Sequence, residues 1–90
     1  MGESAFSLSI LPAALKQIQK LPKHVRATIN DKITLLATTP QPQMAKPLRG
    51  VKNIWRLRVG DYRVLYQIDS KRRHVIVLEV GNRKDVYRGL

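Results

Sequence analysis

The segment Trp55-Arg56-Leu57-Arg58-Val59-Gly60-Asp61-Tyr62-Arg63-Val64-Leu65-Tyr66 reads as a β-hairpin and constrains the fold more than any other part of the chain. Apolar and basic residues alternate up to Gly60-Asp61, and an aromatic, β-branched run follows. A Gly-X pair between two strand-like runs suits a two-residue type II′ turn. That turn dictates a register in which Val59 opposes Tyr62, Arg58 opposes Arg63, Leu57 opposes Val64 and Trp55 opposes Tyr66. Opposed residues share a face and the side-chain period is two. Trp55, Leu57, Val59, Tyr62, Val64 and Tyr66 are therefore predicted to line one face, toward the core. The other face carries Arg56, Arg58 and Arg63.

Like charges directly opposed on a sheet are destabilising, and no acid of the hairpin shares this face except Asp61 at the turn. A polyanionic partner would relieve the repulsion; a solvated basic face on a half-buried sheet is the plain alternative. The whole chain extends the same trend, with 17 basic and 6 acidic residues and a net charge of +11. Hydrophobic content is 43%, which makes this a folded domain and not a basic tail. Such an excess points to nucleic acid, ribosome, anionic membrane or an acidic protein.

Ninety residues suit one domain, residues 1–90, with an adequate core. The absence of cysteine excludes disulfides, Cys-based metal sites and thiol nucleophiles, and fits a reducing cytosol. Met1-Gly2-Glu3-Ser4 lacks a basic stretch leading into an apolar one, so no secretory signal is expected. The longest apolar run, Val75-Ile76-Val77-Leu78, is strand-sized and no membrane span is expected.

Phe6-Ser7-Leu8-Ser9-Ile10 alternates as a first strand. Pro12 suits the first turn of a helix, with Leu11, Leu15 and Ile18 at helical spacing. Pro22 ends that helix and suits the start of a second, whose stripe is Val25, Ile29, Ile33 and Leu36. Residues 39–53, with three prolines, read as a loop closing on Leu48-Arg49-Gly50. After the hairpin, Ser70-Lys71-Arg72 turns into a last strand from Arg73 to Val80, and Gly81-Asn82 leaves the sheet. The expected class is α+β, in the order β-α-α-β-β-β: two N-terminal helices packed on one face of a mostly antiparallel four-stranded sheet. The arginine face is left open, with the C-terminal segment near its edge.

The chemical inventory is narrow. Ser-His-Asp and metal-ligand spacings are missing, His24 reads as solvent-facing and His74 as a strand-end residue. What remains is Arg, Lys and Tyr. Arginine is a poor base but a good anion clamp, because its planar fork meets phosphate bidentately. RNA phosphodiester cleavage can run on such parts, since the substrate supplies its own 2′-OH nucleophile. The protein has to align that group and neutralise the developing phosphorane charge. Of Tyr62, Tyr66 and Tyr87, parity assigns the first two to the core and leaves Tyr87 as a ring stacker or proton handler.

The residues quoted so far, together with Leu48-Arg49-Gly50 and Val80-Gly81-Asn82-Arg83-Lys84-Asp85-Val86-Tyr87, resemble the RelE toxin superfamily in order and spacing from the first strand to Tyr87. The resemblance implies a cytoplasmic toxin of a toxin–antitoxin pair. Such a toxin enters the ribosomal A site and cuts mRNA there, leaving a 2′,3′-cyclic phosphate and a 5′-hydroxyl. With the net charge of +11 and the open basic face, it predicts an acidic antitoxin covering Arg56, Arg58 and Arg63; no metal or small-molecule cofactor is expected. Arg56 and Arg58 stand where the best-studied member has two lysines. Arg63 matches a phosphate binder, Arg83 a proton donor to the leaving group, and Tyr87 a tyrosine that stacks on a base or assists proton removal. Arg49, Lys52, Lys84 and Arg88 are assigned to RNA binding. Asn82 departs from the histidine many relatives carry. Two other readings stay open: a ParE-like relative that poisons DNA gyrase by binding, and a non-catalytic ribosome- or RNA-binding module.

Overall fold

The computed structural model describes residues 5–82. Its elements are β1 (Ser7–Ile10), α1 (Pro12–Gln19), α2 (Lys23–Leu35), β2 (Ala45–Pro47), β3 (Ile54–Val59), β4 (Tyr62–Asp69) and β5 (His74–Asn82). They form one five-stranded sheet in the order β1-β5-β4-β3-β2, with α1 packed on β5 and α2 on β3. The α+β class and element order match expectation; the sheet has five strands where four were expected. The extra strand, β2, lies inside the stretch read as a loop and pairs antiparallel with β3. It is an edge strand of three residues ending in Pro47, a position where a missing ladder donor is tolerated.

The hairpin register is the one the turn dictates, from Val59↔Tyr62 to Trp55↔Tyr66. Gly60 has φ +60 and Asp61 does not have a positive φ, the signature of a type II′ turn. Leu57, Val59, Val64 and Tyr66 are buried beneath Ile29, Ile33 and Leu36 of α2 and its C-terminus, together with Val75, Val77 and Val80 of β5. Burying each aliphatic side chain stabilises by about 1.5–3 kcal/mol, so this layer dominates the stability of the fold. The α2 stripe is as expected, but α1 differs. Leu11 and Leu15 are 41% and 45% exposed, and Ala14 and Ile18 are the buried pair. A small residue at the contact lets the short helix lie close to β5, which turns the larger leucines outward.

β5 also departs from expectation. It runs on to Asn82, with Gly81 opposite Arg63 and Asn82 opposite Tyr62. The cause is a β-bulge: Leu65 opposes Glu79 and Tyr66 opposes Val77, so Leu78 is the extra residue. The bulge reverses side-chain parity. Val75 and Val77 face the helices, and beyond Leu78 it is Val80 that does so, which leaves Glu79 on the opposite face. Near this irregularity β1 has already turned into α1, and the Val80 backbone N–H donates instead to Gln17 Oε1 at 2.7 Å. Among the described residues, no helix is long and apolar enough to cross a membrane.

Candidate functional site

The hairpin face turned away from α1 and α2 holds the basic residues that parity assigned to it. Arg58 and Arg63 are directly opposed, and Arg56 lies two residues along β3. Arg56 and Arg63 are half-buried and Arg58 is exposed. Ala45 opposes Leu57 and is buried in the core, so strand alternation sends its neighbours Met44 and Lys46 to the basic face. Lys46 opposes Arg56, and the Arg58 backbone N–H donates to the Met44 carbonyl at 3.5 Å. The result is an open concavity of about 230 Å³ lined by Gln43, Met44, Lys46, Arg56, Arg58 and Arg63.

Every charged side chain of that lining is cationic. Glu79, placed by the bulge, shares the sheet face but lies beyond Leu65, across β4 from Arg56. Leu65, on the same face, is itself 2% exposed. Opposed guanidinium groups repel one another, and a bound phosphate would offset that repulsion through bidentate hydrogen bonds. The arrangement can therefore hold an anionic backbone and stabilise extra negative charge on a phosphate.

The other expected site residues fall into two groups. Arg49 and Lys52 are exposed in the β2–β3 connection, at the opposite end of β3 from Arg58, and do not line the concavity. Arg83, Lys84, Tyr87 and Arg88 lie outside the described residues, as does the C-terminal segment expected near the sheet edge. Asn82 ends β5 opposite Tyr62, at the Arg63 end of the sheet. Tyr62 packs against the core and Tyr66 is fully buried, its hydroxyl donating to the Pro40 carbonyl at 2.6 Å. Burial pushes the ionisation of the Tyr66 phenol far up. His24 is exposed on α2, and His74 shares a 2.8 Å hydrogen bond with Ser9 at the distant β1–β5 end. Gln43, Met44 and Lys46 escaped the sequence reading. The run Gln43-Met44-Ala45-Lys46-Pro47 carries no alternation that would mark a strand.

Comparison with known proteins agrees with this geometry. A family model described as the ParE toxin of the type II toxin–antitoxin system parDE matches residues 8–87. The mRNA interferase toxin RelE of Escherichia coli (strain K12) is 32% identical over 82 residues, covering 89% of this chain and 85% of the relative. Toxin RelG of Mycobacterium tuberculosis is 29% identical over 84 residues, covering 92% of this chain and 97% of the relative. The archaeal RelE–RelB complex from Pyrococcus horikoshii contains a chain that superposes with a TM-score of 0.80 at 26% identity, covering 90% of this chain and 98% of that one. The chain thus belongs to the RelE/ParE superfamily of toxins from type II toxin–antitoxin systems, on its RelE-like branch.

Proposed function

We propose that this chain is a ribosome-dependent endoribonuclease that cuts mRNA in the A site and so inhibits translation in the cytoplasm. The observation that carries the reading is the convergence of Arg56, Arg58 and Arg63 in one concavity on the sheet face that neither α1 nor α2 covers. The RelE relative named an mRNA interferase supports the same reading. In the proposed reaction the substrate's 2′-oxygen attacks the adjacent phosphorus, the P–O5′ bond breaks, and a 2′,3′-cyclic phosphate and a 5′-hydroxyl result. The nucleophile comes from the substrate, so the chemistry calls for no metal supplied by the chain. Arg63, with Arg56 and Arg58, neutralises charge gathering on the pentacoordinate phosphorus. Arg83 is assigned the proton for the leaving 5′-oxygen, and Tyr87 a stacking or proton-removing role. Arg49, Lys52, Lys84 and Arg88 add general attraction to the RNA backbone.

Primer extension on mRNA from cells expressing the chain tests this directly. Cuts confined to translated regions are expected. The ParE description of the matching family model favours a second reading, gyrase poisoning. Intact mRNA with gyrase-dependent DNA breaks would establish that reading instead.

The partner is proposed to be an acidic antitoxin, in keeping with the RelE–RelB complexes among the structural relatives. The net charge of +11 favours such a partner. Its chain would cover Arg56, Arg58 and Arg63 and exclude RNA by occupancy. A mapped interface leaving all three arginines solvent-accessible would rule out direct occlusion.

A further inference from the structure

The concavity has two chemically distinct sides. Its arginines account for phosphate binding, but Gln43 and Met44 do not: one side chain is a neutral amide and the other a thioether, a weak acceptor at best. Both belong to a segment held by the sheet. The Ala45 N–H donates to the Pro42 carbonyl at 2.9 Å, and the Met44 carbonyl accepts from Arg58. Ala45 itself is buried against the core. Met44 is 59% exposed, the most open large hydrophobic residue among those described, yet it lies beside three guanidinium groups.

An apolar, polarisable side chain in a cationic cleft suits a ligand that carries charge at one end and a flat ring at the other. Sulfur packs favourably against aromatic rings. The glutamine amide presents a donor and an acceptor side by side, the pattern that pairs with the N6 and N7 edge of adenine. Single-stranded RNA exposes both the ring face and the ring edge of its bases. A cavity of about 230 Å³ has the scale of one nucleotide and not of a duplex groove.

We propose that Gln43 and Met44 read the base of the nucleotide whose phosphate the arginines hold. Met44 packs on the ring and Gln43 bonds its edge, with adenine preferred, while Lys46 holds the adjoining phosphate. The assignment rests on the ribonuclease reading above and deepens it: these residues set which codon is cut.

The test uses ribosomes programmed with A-site codons that differ in one base, and measures cleavage rates for the full chain and its variants. The unaltered chain is expected to favour codons with adenine at one position. Gln43→Ala should shrink that preference about tenfold, the scale of a bidentate base contact. Lys46→Ala should slow all codons by a common factor. A preference that survives intact in both Gln43→Ala and Met44→Ala, or equal rates on all codons for the unaltered chain, overturns the inference and leaves the ribonuclease reading standing. No cleavage on any programmed ribosome overturns that reading and this inference with it.

A second measurement separates binding from chemistry. The chain has two methionines, Met1 and Met44, so ¹³C-methyl labelling gives a simple spectrum. A 2′-O-methyl RNA trinucleotide, which cannot be cut, should shift the Met44 methyl upfield through the ring current of the stacked base. An abasic trinucleotide should not. Equal shifts with both oligonucleotides, or none with either, overturn the packing of Met44 on a base.

Discussion

On the helix-covered face of the hairpin, Leu57, Val59, Val64 and Tyr66 are buried beneath α2. On the other face the same two strands present Arg56, Arg58 and Arg63 around an open concavity. The first face is complete in itself, because each side chain there loses water by packing on another. The second is assembled against its own electrostatics, with Arg58 and Arg63 directly opposed. Most of the hydrophobic burial lies on one side of a sheet one layer thick, and the proposed RNA chemistry on the other.

The comparison breaks first at Leu57. Leu57→Ala should lower unfolding free energy by about 2–5 kcal/mol in a denaturant titration, by lost burial and an unfilled cavity. A smaller loss than that of Arg58→Ala would mean the faces are swapped by a one-residue slip. Arg63→Ala should leave stability nearly intact and lower the rate of mRNA cleavage on ribosomes by on the order of 10²–10³-fold, with a far smaller effect on ribosome binding. Equal losses in rate and in ribosome affinity would make Arg63 a general anchor and not a transition-state group.

Tyr66→Phe probes the packed face more finely. Losing its bond to the Pro40 carbonyl should cost about 1–2 kcal/mol. The pH dependence has a definite sign. Burial raises the folded-state ionisation of Tyr66 above the ordinary 10.0, so its contribution is fully present below about pH 10 and is lost as pH rises further. Tyr66→Phe should flatten that alkaline loss in a series of denaturation curves. The smallest effect belongs to Arg58→Ala, which should change stability by no more than about 0.5 kcal/mol, or raise it by relieving repulsion.

How much of this was readable depended on the strength of the local pattern. The hairpin was legible because Gly60 and a strict period of two leave a single register. The α2 stripe was legible because its apolar residues are large and helically spaced. β2 was not, since three residues ending in proline carry no alternation, and with it went Lys46, Gln43 and Met44. Parity at the end of β5 depended on the bulge at Leu78, which only the pairing with β4 reveals. On α1 the large Leu11 and Leu15 stay exposed while Ala14 is buried, because size predicts burial only where a partner surface can accommodate it. The separation of a basic face from a core face was therefore available from the sequence, whereas the shape of the cleft required tertiary pairing.

The parallel pairing of β1 with β5 has a consequence for how the molecule comes into being. Ser9 and His74 meet across 65 residues, and β5 lies between β1 and β4 in the sheet. Until β5 has been synthesised, α1 lacks the strand on which it packs and β1 has no ladder partner. Non-local closures of this kind form late and fold slowly. On a translating ribosome the hairpin can assemble as soon as Asp69 is free, but the sheet closes only when the chain has emerged through Asn82. The basic cleft thus gains its rigid backing only once β5 is available, and a product terminated before β5 would carry the arginines without the scaffold that aims them.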